Sequence, residues 1–341
     1  MKNGTKQRGS KGQRVDGEIK RGKVRGNLSL CLSSQDVQEW GIIMDKVIQR
    51  AYAKINIGLD VLRRRADGYH EVKMIMQTVD IYDELVLEKR EQPGIELRTD
   101  NSELPLDGDN LICKAVSLLF REKKIEGGVR STLTKRIPIA AGMAGGSSDA
   151  AAALRGINEL FEMGYSIPEL QMLGVRLGAD IPYCIVGGTM LSEGIGEILT
   201  PLPAPPEAYL VIAKPDINVS TAFVYGNLHA DRLTWHPDID GMIAALQQGE
   251  MEGITVRLGN VLETVTVREY PVVEQIKELL KAQGAQNALM SGSGPTVFGI
   301  FKEKETARRA AQAVEQGQLA KQIFVTTFYK EGYGYSAWEM A

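Results

Sequence analysis

The stretch Pro138-Ile139-Ala140-Ala141-Gly142-Met143-Ala144-Gly145-Gly146-Ser147-Ser148-Asp149-Ala150 constrains this chain more than any other. Its side chains are nearly all small, and it runs directly into Ala151-Ala152-Ala153-Leu154. Pro138 interrupts whatever precedes it. The glycines admit positive φ. Ser147, Ser148 and Asp149 are helix-capping residue types, and the alanine run is a strong helix former. The pattern predicts a loop that feeds a helix N-terminus. Unpaired N–H groups and partial positive charge collect at such an end. With no bulky side chain in the way, an anion can reach the backbone, and a phosphate chain is the natural occupant. The alternative is a small-residue loop that only lets a helix pack closely. No G-x-x-x-x-G-K-[ST] occurs, and no G-x-G-x-x-G follows a predicted strand, so neither the P-loop nor the dinucleotide fingerprint is present.

A chain of 341 residues is long enough for two domains, each with a core. No apolar run approaches the ~18 residues that span a bilayer. The three cysteines, Cys31, Cys113 and Cys184, have no C-x-x-C spacing. They imply a reducing, cytoplasmic setting without a disulfide framework or zinc site. Three histidines are too few for a histidine-rich metal site, and no metal ligands are assigned. The net charge of −3 hides an asymmetry, because residues 1–43 carry +5 and the remainder −8. An acidic body argues against nucleic-acid binding, so a polyanionic ligand must be held by local groups. Residues 1–43 have the composition of a disordered basic extension and lack the apolar core of a secretory signal. A targeting arm or a nucleic-acid tail is conceivable. The expected reading is a tag-like or mis-started extension ahead of Met44.

Along the chain, residues 48–62 alternate with period two. Ala51, Ala53, Ile55, Ile57, Leu59 and Val61 are assigned to one face, and Tyr52, Lys54, Asn56, Gly58 and Asp60 to the other. Lys54 and Asn56 therefore share a face, roughly 7 Å apart along the strand. That pair is either functional or the wet side of an edge strand. Asp67-Gly68 signals a hairpin, followed at once by Tyr69 and His70. Those two can stack on and hydrogen-bond a base, or be a half-buried strand residue and a surface histidine. Strands are predicted at 72–81, 84–89, 95–98 and 129–135. A helix capped by Asn110 is expected to run to about Lys123. Further helices are expected from the small-residue loop to about Met163, and from Ile167 to near Gly178. Asp180, in Gly178-Ala179-Asp180-Ile181-Pro182, is either a capping or turn residue or a rigidly held carboxylate. Pro201–Pro206 reads as a linker. Beyond it come a strand at 208–214, helices near 220–229, 239–247 and 272–282, and a strand–loop–strand unit over 284–301. A helix over 305–315 and a strand over 322–329 close the chain. The irregular interleaving predicts an α+β fold and not a doubly wound parallel sheet.

In combination these segments resemble the GHMP kinase superfamily. The resemblance rests on Ala53-Lys54-Ile55-Asn56, Arg64-Arg65-Ala66-Asp67-Gly68-Tyr69-His70, Ala144–Ala150, Gly178–Pro182 and Ser291-Gly292-Ser293-Gly294-Pro295-Thr296, in order and at fitting spacing over about residues 44–330. Ala140 and Ala141 stand where many members have glycine, and still leave room for phosphate.

The resemblance implies a ribosomal protein S5 domain 2-like N-terminal domain over 44–200. It also implies a ferredoxin-like C-terminal domain over 201–341, with the active site between them. It implies ATP-dependent phosphorylation of the 2-hydroxyl of 4-diphosphocytidyl-2-C-methyl-D-erythritol in the methylerythritol phosphate route to isoprenoids. Asp180 would take the hydroxyl proton, Lys54 would stabilise developing negative charge, and Asn56 would orient this pair or the hydroxyl. The loop Pro138–Ser148 would hold the ATP phosphates through its backbone. A Ser147 or Ser148 hydroxyl would assist with phosphate or Mg²⁺. Tyr69 would stack on the cytosine, Tyr225 would form a second wall, and His70 would hydrogen-bond the base. Ser291, Gly292, Ser293 and Gly294 would close over the methylerythritol and phosphate end. The partner is thus a small molecule, not nucleic acid or membrane, and the protein is expected as a monomer or weak homodimer. The rivals are a homoserine, mevalonate or sugar kinase of the same superfamily, and a non-catalytic nucleotide sensor, against which intact Lys54 and Asp180 argue.

Overall fold

A computed structural model describes residues 45–333; the extension 1–43 and the expectations placed on it lie outside them. Two long strands, β1 (Lys46–Arg64) and β2 (His70–Arg90), form an antiparallel hairpin. Its turn is closed by the Arg65 N–H donating to Tyr69 O at 2.7 Å. The two strands predicted at 72–81 and 84–89 are one continuous strand. The apolar pattern lapses at Tyr82-Asp83, but Asp83 is not a turn residue. It is fully buried and accepts bonds from the Lys135 ammonium and the Arg136 and Ile137 N–H groups.

The single-face reading of β1 fails for a related reason. Ala53, Ile55 and Ile57 join one core cluster, while Ala51, Leu59 and Val61 join the other. The β1–β2 register shifts between Tyr52 and Lys54, and again between Asn56 and Gly58. Each irregularity re-aims the side chains that follow it.

β3 (Gly94–Thr99) lies parallel to β4 (Gly128–Thr134). Between them runs α1 (Leu111–Lys123), where the Asn110 side chain accepts from Ile112 N–H as the capping pattern predicts. α2 (Gly145–Leu160) buries Ala150–Leu154 against β1 and α1. Its small residues permit close approach, since a Cβ on Gly156 would meet Leu87 at 2.4 Å. α3 (Ile167–Val175), α4 (Ile181–Val186), β5 (Thr189–Gly194) and β6 (Ile198–Pro201) follow, and residues 202–208 cross without regular structure to β7 (Tyr209–Lys214).

After β7 come α5 (Thr221–Asn227), a 3₁₀ turn at Ala230–Arg232, α6 (Ile239–Gln248), α7 (Met251–Thr255), β8 (Gly259–Asn260), α8 (Glu263–Glu269) and α9 (Val272–Ala282). β9 (Asn287–Met290), β10 (Val297–Phe301), α10 (Lys304–Gln316) and β11 (Gln322–Thr327) complete the described chain. α4, β5, β6, α7, β8 and α8 have no counterpart among the elements that the sequence predicts. Gly259-Asn260 is a strand only because it pairs in parallel with Gly58-Leu59.

The larger sheet has the order β3-β4-β2-β1-β8, with β5 on β2 and β6 on β5. The smaller sheet has the order β11-β7-β10-β9 and is antiparallel throughout. With α9 before β9 and α10 before β11, this is the ferredoxin-like β-α-β-β-α-β arrangement. The architecture is α+β, and β8, from beyond the proline-rich segment, completes one edge of the larger sheet. Among the described residues no helix is long and apolar enough to cross a membrane.

Candidate active site

β1 has β2 along one edge, but β8 covers only Gly58 and Leu59 of the other. The remaining backbone groups there need partners, because buried N–H and C=O groups are costly to leave unpaired. Four separate segments supply them. Tyr52 N–H donates to the Tyr333 hydroxyl at 2.7 Å, and Tyr52 O accepts from the Ser148 hydroxyl at 2.7 Å. Lys54 N–H donates to Met143 O at 3.2 Å, and Asn56 N–H to the Ser291 hydroxyl at 3.4 Å. β1 is thereby tied to the small-residue loop, to α2, to the glycine-rich loop after β9 and to the C-terminal segment.

Lys54 and Asn56 do share a face, and both are buried. The Lys54 ammonium donates to Asn56 Oδ1 at 2.7 Å and lies 3.8 Å from Asp180 Oδ2. Asp180 occupies the N-cap position of α4, yet its side chain makes no capping bond. Its backbone serves the turn, with Asp180 O accepting from Cys184 N–H at 3.0 Å, while its carboxylate lies toward Lys54.

This pair lines a cleft of about 920 Å³, together with Asn56, Tyr69, His70, Tyr225, Gly292 and Ser293. The small-residue loop contributes Pro138–Gly142 and Ala144–Ser147. α2 begins at Gly145, earlier than its capping-type residues suggest, after Ala144 in the left-handed conformation. Ser147, Ser148 and Asp149 consequently sit inside the helix, and no side chain caps it. That correction leaves the helix end free for an anion.

The loop after β9 packs backbone to backbone against this one. A Cβ on Gly142 would come within 2.2 Å of Ser291 O, and Gly142 has φ +71°. The Ser291 hydroxyl donates to Gly142 O at 2.9 Å. At the other end of the cleft the His70 and Tyr225 rings lie 5.1 Å apart, while Tyr69 is largely exposed. Burial, and then the Arg64 charge, hold the His70 imidazole below its ordinary pKa of 6.5. It is therefore neutral at pH 7 and can both donate and accept.

Family models for the GHMP kinases N terminal domain and the GHMP kinases C terminal match residues 110–188 and 237–319. A relative from Lachnoclostridium phytofermentans, named 4-diphosphocytidyl-2-C-methyl-D-erythritol kinase, is 49% identical over 84% of this chain and 99% of its own. The chain belongs to the GHMP kinase family. A crystal structure of a 4-(cytidine 5′-diphospho)-2C-methyl-D-erythritol kinase superposes with TM-score 0.71 at 33% identity, covering 83% of this chain and 99% of the other. A homoserine kinase from Cytophaga hutchinsonii, at 21% identity and TM-score 0.69, shares the fold.

A GHMP kinase uses ATP, and this chain's cleft suits it. The uncapped end of α2 offers backbone N–H groups, and a Cβ on Gly146 would meet nothing closer than Leu111 at 3.5 Å. Leu104, Leu111 and Ile139 add an apolar wall. Among the described residues no group of three or more His, Cys, Asp or Glu could hold a metal. Nucleotide-bound Mg²⁺ needs few protein ligands, and the Ser147 hydroxyl and the Asp180 carboxylate are cleft oxygens available to it.

Four of the expected residues face elsewhere. Met143, Ser148, Ser291 and Gly294 do not line the cleft. The Ser148 hydroxyl is committed to Tyr52 O, and Ser291 bridges Gly142 and Asn56.

The cleft residues that escaped the sequence reading include three polar ones, Thr221, Lys135 and Asp149. Thr221 meets the Ser293 hydroxyl at 2.9 Å; its only local trace was the capping-type Ser220-Thr221 pair. Lys135 and Asp149 are buried together beside the loop. Burial alone would lower the Lys135 pKa, but Asp149 and Asp83 raise it. Asp149 is pushed up to about 8, first by burial and against the pull of Lys135, with Asp83 adding to the rise. Two carboxyls share one ammonium here. Burial disfavours the charged form of Asp149, whose Oδ1 has no hydrogen-bond partner.

Proposed function

We propose that this chain transfers the γ-phosphoryl group of ATP to the 2-hydroxyl of 4-diphosphocytidyl-2-C-methyl-D-erythritol, a step of the methylerythritol phosphate route to isoprenoids. The observation that carries this reading is the set of groups that one cleft brings together. The uncapped end of α2, the Lys54–Asp180 pair, and Tyr69, His70 and Tyr225 all line it. The full-length likeness to relatives bearing that name supports it.

In the reaction, a bond forms between the acceptor oxygen and the γ-phosphorus while the bond from that phosphorus to the β-phosphate oxygen breaks, releasing ADP. Such transfers need positioning and charge stabilisation more than covalent help. Asp180 takes the proton from the acceptor hydroxyl. Lys54 stabilises charge on the transferring group. Its short bond to Asn56 fixes the ammonium on the side chain of a rigid strand, which limits the geometries it must search. The N–H groups opening α2 hold the phosphate chain. Mg²⁺ bound with the nucleotide would neutralise phosphate charge. Tyr69 and Tyr225 flank the cytosine, and neutral His70 hydrogen-bonds its edge. We divide the chain at the proline-rich segment Pro201–Pro206, and residues from both sides of it, Lys54 and Asp180 before and Tyr225 and Ser293 after, line the one cleft.

An ADP-release assay with the diphosphocytidyl alcohol beside homoserine and mevalonate tests the assignment. Turnover with the first alone is expected. Turnover with homoserine or mevalonate and none with the diphosphocytidyl alcohol overturns it, as does ATP binding without turnover on any of the three.

A further inference from the structure

The segment after β11 is bonded back to β1, β2 and α4. Tyr329 N–H donates to Thr78 O at 2.9 Å, and the Tyr329 ring stacks on Tyr52 with centroids 4.0 Å apart. Tyr333 N–H donates to Val186 O at 3.1 Å, at the C-terminal end of α4. The Tyr333 hydroxyl, as noted, accepts from Tyr52 N–H on β1. One residue thus bonds both the strand that carries Lys54 and the helix that begins at Asp180.

The face of the Tyr333 ring lies 3.5 Å from the Arg155 guanidinium of α2. That guanidinium in turn donates to Cys184 O at 2.8 Å and Ile185 O at 3.3 Å on α4, and to Arg50 O at 3.3 Å on β1. Arg155 and Tyr333 therefore make parallel bridges between the same two elements, locked to each other by a cation–π contact. α4 is a single six-residue helix. At ~1.5 Å rise per residue, its two ends are only about 9 Å apart. A shift at its C-terminal carbonyls is delivered to Asp180 at the other end.

We infer that Tyr333 and Arg155 are positioning residues for phosphoryl transfer, setting the Lys54–Asp180 distance from outside the cleft. Neither residue lines the cleft, so neither touches nucleotide or acceptor. They act through β1 and α4. The inference rests on Lys54 and Asp180 being the reacting pair, and it names what holds that pair in register. The energetic reason is that a displacement of the order of 1 Å at a reacting group is enough to cost about 100-fold in rate. The Lys54–Asp180 contact, at 3.8 Å, has no direct hydrogen bond of its own to resist such a displacement.

The test is a pair of conservative variants, Tyr333→Phe and Arg155→Lys, each made alone and with Asp180→Asn. Tyr333→Phe keeps the ring on Arg155 but removes the acceptor for Tyr52 N–H. Arg155→Lys keeps the charge but cannot span three carbonyls. Each is expected to lower kcat about tenfold, the weight of roughly one net hydrogen bond, with both substrate KM values within twofold of the parent. In the Asp180→Asn background neither should lower the residual turnover further, because the group they position is gone. A merely structural role predicts the opposite, namely equal factors in both backgrounds, or a loss of thermal stability with kcat intact. Either result overturns the inference while leaving the phosphoryl-transfer reading standing. If Asp180→Asn alone turns over normally, both fall together. Should one variant fail to fold, the other carries the same comparison.

Discussion

The two ends of the cleft are built in opposite ways. At the reacting end Lys54 is 4% exposed, and backbone groups on either side of it are bonded to four segments of the chain. At the recognition end Tyr69 is 59% exposed on a hairpin turn, and Tyr225 comes from the seven-residue helix α5. The reacting end is over-determined, as suits chemistry in which catalysis is mostly positioning. The end that we propose for recognition has apolar faces and one neutral imidazole, as would suit a ligand that must enter, be read and leave. Substitutions at the first should therefore act on kcat, and at the second on KM.

The largest effect should come from Asp180→Asn. Removing the proton acceptor is expected to lower kcat by about 10²–10⁴-fold, with the KM for ATP nearly unchanged. Steady-state kinetics with ATP varied would expose a wrong assignment by showing near-normal turnover. Tyr69→Ala should instead raise the KM for the cytidine-bearing alcohol about 5–150-fold, the range expected when one base loses an aromatic stacking partner worth 1–3 kcal/mol, while kcat changes much less. A kcat loss with KM intact would erase the contrast between the two ends.

A subtler difference is in pH dependence. His70 has its pKa depressed by burial, so its neutral form persists down through 6.5 and is lost only as pH falls below that. The KM for the alcohol should be flat above pH 6.5 and rise beneath it. An inflection above pH 7 would show that His70 is charged when it meets the base, or that another group governs binding.

The smallest effect concerns the loop itself. Ala140 sits at φ +49°, a conformation that costs an L-residue about 1 kcal/mol and glycine nothing. Ala140→Gly relieves that strain but also loosens the unfolded chain. Chemical denaturation should show a net change between zero and about +1 kcal/mol in stability. A loss of more than 1 kcal/mol would mean the methyl group packs usefully.

Local chemistry made part of this molecule legible. Asn110 caps α1, Asp67-Gly68 turns the hairpin, and α9 spans the residues its period marks, because each depends on neighbours within a few positions. The small-residue loop and the Gly/Ser loop after β9 were visible for the same reason. β8 and α8 were not. Nothing in Gly259-Asn260 asks to be a strand until β1 presents an open edge. Asp83 looked like a break between strands until Lys135 and two backbone N–H groups arrived to satisfy it.

The residues of the site divide along the same line. The amino-acid order by itself determined which types of group were available: an amine and an amide two residues apart, a carboxylate before Ile-Pro, a base-sized aromatic beside an imidazole, and two loops bare enough for phosphate or backbone to approach. Only the tertiary structure decided that Asp180 leaves its own helix uncapped to face Lys54, that the Ser148 hydroxyl, one of two expected to meet phosphate, secures Tyr52 O, and that Ser291, expected in a loop over the substrate, secures Gly142 O. It also decided that Tyr333 reaches β1. The physical reason is that an exposed strand edge accepts any donor or acceptor of the right geometry. Which distant segment provides it is settled by how the sheets and helices pack, and that choice leaves no periodic trace in the chain.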